Sequence, residues 1–537
     1  MNDRIQMNVG RIKSWRRYVC FAISVLLIVI DWTRGSQAGE VWKWTVNMTG
    51  LVMVLLAVSV WGLKGFAKHK KVYLTWLLLG PIFGVGTYLF WWYHQRVGYR
   101  DQLVSAAIAL WALGFLYIRL VYEVCLEKTR KVHFSISSGL LYLMLFLGFI
   151  SVNEDVWPGF FLLIFFPIYQ VLRDETQDNK AEIRRGLIDA VILMFFIIQG
   201  HAFMLRPFDD YHARYCGFYA NSNMNALFYC IVYVAFLLRG MELKAKEKQT
   251  KGTVFLRLMC FLFAAAMWGF VFLTGCKTAL LALIGVSVVF IVFGKIMLLK
   301  ERAHILIGKI FVFLLIVVIS VPIDYAAVRY LPPVFHHPIW FQGEYSEDKV
   351  HSWDPWDSYK YVSFDLFMKR MGKRYIPYLR YFGIDIEVQA AEVIMTSPAD
   401  GNFASVTGRT DIWKYYLAHG KLFGRSNQEG HEITGDGYTW HTQNMFIQFW
   451  YYYGILAAIV FAAWLCFTGI KLIVDISRGL EKNRIENAES QYNRLITLCY
   501  LVLFGVYGIP EAVWYPGQFI LFLACFLPAL VQNSNRT

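Results

Sequence analysis

The sequence is built from apolar blocks of about 17 to 25 residues separated by short polar segments. That length spans a hydrocarbon core when wound as an α-helix rising about 1.5 Å per residue. The blocks fall at 18–32, 44–62, 72–93, 102–122, 136–151, 156–172, 187–205, 218–238, 254–274, 277–294, 304–322, 443–468, 494–509 and 513–531. The pattern predicts an all-α polytopic membrane protein with about 12–14 transmembrane helices and one large extracytoplasmic loop. The chain then divides into helices over 1–322, the loop over 323–442 and C-terminal helices over 443–537. Only 17% of residues are charged, against about 25% in soluble globular proteins, so an ordinary cytosolic enzyme is excluded.

The formal charge of +14, from 52 Lys and Arg against 38 Asp and Glu, would suggest nucleic acid in a soluble chain. Here its placement sets orientation instead, because cytoplasmic loops of membrane proteins collect Lys and Arg. With the N-terminus inside, the clusters Lys64, Lys68, Lys70, Lys71, then Arg173, Lys180, Arg184, Arg185, then Lys244, Lys246, Lys248, Lys251, and Lys471, Arg478, Lys482, Arg484 all fall in inner loops. Both termini are thus expected in the cytoplasm, and the 323–442 segment outside. Arg4, Arg11, Lys13, Arg16 and Arg17 precede the run 18–30 as in a signal peptide, but the many later spans make it an uncleaved first helix. The nine Cys include no CxxC pair, so neither a disulfide framework nor a zinc site is indicated.

Arg119, Arg257 and Lys309 lie near inner span ends, where they are expected to snorkel. No carboxylate stands clearly at a span midpoint, and the two halves of the chain show no repeat, which weakens a transporter reading. Chemistry is therefore sought in the long loop and at the outer helix ends.

The stretch Ser405 to Tyr453 carries the most information. Thr407 is a plausible helix N-cap with Gly420 after the last turn, which puts Arg409 in the first turn and Trp413 and Tyr416 on its face. A guanidinium beside free N–H groups at a helix start suits a diphosphate; equally, Arg409 could stack on Trp413 at the interface. Thirty-two residues later comes His441-Thr442-Gln443-Asn444, directly before an apolar span. On a helix starting there, His441, Asn444 and Gln448 would form one polar stripe, which within a membrane requires partners or a wet cavity.

Gly408-Arg409 with Trp413, Phe423-Gly424, His441 with Asn444 and an aromatic-rich span, and Tyr453-Gly454-Ile455-Leu456 together resemble the signature region of bacterial O-antigen ligases and repeat-unit polymerases. Two upstream segments are similar to theirs as well: Gly217-Phe218-Tyr219-Ala220-Asn221-Ser222-Asn223, and Leu273-Thr274-Gly275-Cys276-Lys277-Thr278-Ala279, where relatives mostly carry Ser-Arg in place of Cys276-Lys277. The resemblance covers roughly 200–300 and 400–470. It implies a C-type membrane glycosyltransferase in a bacterial cytoplasmic membrane, with its active site outside. Such an enzyme transfers a glycan from undecaprenyl diphosphate to an acceptor saccharide or lipid A-core, without a metal or other cofactor and with no nucleic-acid partner. Arg409 and His441 are the implied catalytic residues. Lys277, Asn444, Trp413, Asn221, Asn223 and Gln448 are the candidates for substrate binding.

These residue types fit the chemistry. The leaving diphosphate needs fixed positive charge, which Arg409, Lys277 and helix N-termini would supply. The acceptor hydroxyl needs a base or an orienting acceptor, for which His is suited. Lys277 would hold phosphate as a point charge, without the bidentate fork of Arg. A single displacement would invert the anomeric carbon. The basic residues Lys369, Arg370, Lys373, Arg374 and Arg380 alternate with Phe364, Phe367, Met371, Tyr375 and Tyr378, a pattern for an amphipathic helix that either presents a solvated face or guides anionic donor lipid. His336, His337, His351 and His431 lack metal-ligand spacing. The rival function is translocation of the same lipid-linked glycan, which requires access from both sides and no base at the outer surface.

Overall fold

The computed structural model describes residues 70–93, 113–153, 157–208, 214–217, 219, 222–245, 250–299, 301–335, 361–381, 412–425, 442–481, 488–511, 513 and 519–532. The spans expected at 18–32 and 44–62 lie outside the described residues. Those described form helices and no strands.

In chain order the helices are α1 (Lys70–Tyr93), α2 (113–126, ending in the π-turn Tyr122–Leu126), α3 (Ile136–Phe149), α4 (Trp157–Arg173) and α5 (Gln177–Leu205). Then come α6 (Ser222–Ala245), α7 (Lys251–Thr274), α8 (Lys277–Val289, continued by the π-helix Phe290–Leu298), α9 (Ala303–Val334) and α10 (Phe364–Tyr381). The last are α11 (412–418), α12 (Met445–Gln448, continued by Phe449–Tyr453), α13 (Ile455–Glu481), α14 (Ala488–Gly508) and α15 (Phe519–Val531). Six of these helices, α5 to α9 and α13, are long and apolar enough to cross a membrane, and α3, α4 and α15 are shorter apolar helices. The chain is a multi-pass helical membrane protein.

Its centre is α6, apolar on nearly every side and buried from Ala226 to Phe236, as expected of a helix enclosed by others. Helices α5, α7, α8 and α14 pack around it. By contrast α9 touches α7 and α5 while Ile307, Phe311, Val318 and Ile323 are exposed, an apolar surface suited to a membrane. A second group, α3 with α4 and α13, joins through α14 and α15.

Charged residues at helix ends behave differently from the sequence expectation. Arg119 does not snorkel: its side chain is buried and paired with Glu123 at 2.8 Å and Glu175 at 3.2 Å. Arg184 is fully enclosed, reaching Glu242 of α6 at 2.6 Å, Glu489 of α14 at 2.5 Å and Asn493 at 2.8 Å. A buried guanidinium is tolerated only with such pairing, so this network ties α5, α6 and α14 together at one end of the bundle. We call this the basic end, and the opposite one, where α5 finishes and α6 begins, the site end.

Two boundaries move. Helix α9 runs on to Val334, twelve residues past the expected end at 322, with Pro322, Pro332 and Pro333 inside it. The extension holds Asp324 and Arg329, both buried, so the segment counted as the start of the long loop is helix. The span expected at 443–468 is broken at Gly454, between the π-turn Phe449–Tyr453 and α13.

Candidate functional site

The site end is assembled from sequence-distant segments held by backbone hydrogen bonds. Tyr215 N–H donates to the Leu273 carbonyl at 3.0 Å, and Phe208 N–H to Val328 at 3.2 Å. Val362 N–H donates to Phe208 at 3.0 Å, while Tyr325 Oη and Arg329 Nε both donate to the Val362 carbonyl, at 2.8 and 3.0 Å. These bonds lay α10 across the ends of α7 and α9. Its apolar face packs on protein: Phe367 meets Phe208, Phe272 and Tyr325, and Tyr375 stacks on Phe272 at 5.1 Å.

That packing delivers Arg374 to the turn between α7 and α8. Gly275 closes α7 in the left-handed region, at φ +61°, and the Arg374 side chain lies where a Cβ would stand, its Cδ 3.2 Å and Nε 3.3 Å away. Two residues on, Lys277 opens α8, half-buried. The N-cap Cys276 gives the first turn no side-chain acceptor. Positive helix ends of this kind attract anions.

Arg214 adds a third cation beside this turn. Its Nε donates to the Thr274 carbonyl at 2.7 Å and its Nη2 to Asn223 Oδ1 at 2.5 Å. Asn223 in turn donates through Nδ2 to Glu511 at 2.8 Å, and its carbonyl accepts from the Tyr507 hydroxyl. Tyr507 also lies 3.5 Å from the Cys276 sulfur. Burial pushes the Cys276 thiol up, against the opposing effect of the Tyr507 hydrogen bond. Burial likewise pushes the Tyr375 phenol up, with Arg374 and Arg214 pulling it down. Burial raises Tyr361 to about 12 while Arg329 acts against it. These phenols therefore stay neutral at physiological pH.

The second half of the site meets the first through α14. Gly508 packs against Met445, one residue after Asn444, while the preceding Tyr507 holds Asn223 and Cys276. Trp413 donates through Nε1 to the Thr442 carbonyl at 3.1 Å, and Tyr416 meets Tyr451 edge-on at 4.6 Å. Helix α11 is thereby seated on the start of α12. Next to it Gly424, at φ +82°, and Gly454, at φ +97°, bring two backbones together at the break between α12 and α13. Ile455 N–H donates to Lys421 at 3.1 Å, and Val152 N–H to Phe423 at 2.9 Å.

The candidate residues sort as follows. Lys277 and Asn223 share one cluster with Arg214 and Arg374, whereas Asn444, Gln448 and Trp413 belong to the adjoining α11–α12 cluster. Arg409, His441 and Asn221 lie outside the described residues; Arg409 precedes α11 by three residues, and His441 adjoins Thr442 in sequence. The expected one-face stripe of His441, Asn444 and Gln448 requires correction. Asn444 stands before the helix as its N-cap, with extended backbone and Oδ1 accepting from Ile447 N–H at 3.0 Å. Helical periodicity therefore begins at Met445, so Asn444 is not part of a helical stripe with Gln448. Asn444 and Gln448 are both buried. Arg214, Arg374, Tyr507 and Glu511 were not singled out as site residues by sequence reasoning. Arg374 sat within the recognised basic pattern, but no spacing marks which of its cations reaches α8.

No protein-family model matches the chain, and no curated protein matches it.

Proposed function

We propose that the site end is extracytoplasmic and holds a polyprenyl-diphosphate-linked glycan, which the protein transfers onto an acceptor saccharide as an O-antigen ligase or repeat-unit polymerase does. The observation that carries this reading is the convergence of Lys277, Arg214 and Arg374 from three separate segments on the open N-terminus of α8. Fixed positive charge at a helix start suits a diphosphate leaving group, which departs as an anion and is stabilised by preorganised donors. Arg374 also gives a physical account of Lys277: a guanidinium beside the turn offers the planar fork that an ammonium lacks.

The α11–α12 cluster adjoins this charge through Gly508 and Met445, which supports a division of labour. Lys277, Arg214 and Arg374, with Arg409, take the diphosphate; His441, from the segment leading into α12, orients or deprotonates the acceptor hydroxyl. That hydroxyl attacks the anomeric carbon, its proton passes to the base, and the bond to the diphosphate oxygen breaks with inversion. The ionic network around Arg184 closes the other end of α5, α6 and α14, which favours an enzyme open on one face over a translocator.

The test is reconstitution of purified protein in liposomes with a labelled lipid-linked donor and a saccharide acceptor. Wild-type protein should release polyprenyl diphosphate and label the acceptor, Arg409→Lys should lose most transfer, and Lys277→Arg should keep it. Movement of donor between leaflets with no transfer would replace this reading by translocation.

A further inference from the structure

At the basic end, four helices bring cations together around a single buried carboxylate. Glu301, in the turn between α8 and α9, has a side chain only 5% exposed. Lys309 of α9 approaches it at 2.8 Å, Lys295 at the end of α8 at 4.0 Å, and Lys244 at the end of α6 pairs with it too. Arg257 of α7 is within electrostatic reach of all three ammonium groups. Four basic side chains around this one carboxylate leave an excess of positive charge among these residues. Like charges gathered this close repel, and a bound anion relieves that repulsion.

The surface beside the cluster fixes the kind of anion. One helical turn beyond Arg257 and Lys309, Phe261 and Phe313 meet edge-on at 5.3 Å, forming the seam between α7 and α9. Val254 and Leu258 on α7 share the helical face of Phe261, Ile305 on α9 shares that of Phe313, and all three are exposed. A soluble anion gains nothing from an apolar seam leading away from the charges. A molecule with a phosphate head and acyl tails satisfies both at once, and basic pockets between membrane helices are suited to such headgroups.

We infer that Lys244, Arg257, Lys295 and Lys309 form a binding site for the headgroup phosphate of an anionic phospholipid whose chains lie along the α7–α9 seam. Lys309 and Lys244 are the more exposed of the lysines, with side chains 44% and 30% accessible against 20% for Lys295, and so make the headgroup contact. Lys295 is also held over the Phe290 ring at 5.2 Å. The site is separate from the glycan site and does not rest on that reading.

Native mass spectrometry of the purified full-length protein, exchanged against equimolar phosphatidylglycerol and phosphatidylcholine, tests this. The wild-type protein should retain the anionic lipid preferentially. Lys244→Ala with Lys309→Ala should weaken that retention roughly twenty-five-fold, at about fivefold for each basic side chain. Lys309→Arg, which keeps the charge, should retain it, so loss of charge is separated from loss of fold. Equal retention of both lipids by wild-type protein, or undiminished preference in the double variant, would overturn the inference. A parallel titration with inorganic phosphate distinguishes the sources: displacement of the lipid by micromolar phosphate would make this a phosphate site and sink the lipid assignment.

Discussion

Replacing Gly454 by Ala tests how the site is positioned, independently of what it does. The residue sits at φ +97°, ψ 163°, a region essentially reserved for glycine. An added Cβ would stand 2.2 Å from the Leu422 carbonyl oxygen and 2.7 Å from the Gly424 nitrogen. Both obstacles are backbone, so relief requires the 421–425 turn to retreat by about 1 Å. Strained backbone costs about 1–3 kcal/mol, and overpacking about 1–3 kcal/mol more, so Gly454→Ala should lose about 2–6 kcal/mol. Gly469, inside α13, is the control, because an added Cβ there meets nothing within 4 Å. Gly469→Ala should be neutral, or stabilising by about 1 kcal/mol through helix propensity. Equilibrium unfolding in mixed micelles reads both. The same retreat displaces α11 from the start of α12, and a shift of that size can lower a reaction about a hundredfold. Equal stability of the two variants would refute the close-approach argument.

His441→Ala should lower transfer about 10²–10⁴-fold, the usual range for acid–base assistance, with donor affinity retained; activity recovered in His441→Gln would make it an orienting residue instead of a base. Membrane-impermeant labelling of a cysteine at position 349 from outside, and at 246 only after permeabilisation, would match the expected orientation, and labelling of both from one side would reverse the site assignment. Arg184→Ala removes one guanidinium from Glu242 and Glu489, which keep Arg185 as a partner, and should cost about 1–3 kcal/mol by equilibrium unfolding; an unchanged midpoint would remove that network from the fold's support. Cys276, 2% exposed with its thiol raised by burial, should resist alkylation at pH 8 until the protein is unfolded. Because the folded state holds that proton more tightly than the unfolded chain, the thiol's contribution to stability is present below the ordinary thiol range near 8.5 and lost as pH rises above it.

The spans were legible in the sequence because the length of an apolar block is a local property: α3, α4, α7 and α8 begin within about three residues of where their blocks begin. Charged caps hid the true starts of others. Helix α5 begins at Gln177, ten residues before the block at 187, because Lys180, Arg184 and Arg185 are helical and paired with protein or held by its carbonyls. Hydropathy counts such residues as loop because it has no access to their partners.

The sequence by itself therefore determined a helical, multi-pass membrane chain and placed Lys277 at a helix start, since both follow from neighbours within a few turns. Only the tertiary structure decided that Arg214 and Arg374 reach that start, that Tyr507 and Gly508 join the two clusters, and that Asn444 caps a helix instead of lining one. Those facts depend on contacts between residues up to several hundred positions apart, such as Asn223 with Glu511. Side-chain type restricts what such a contact can be, but packing alone selects which residues meet.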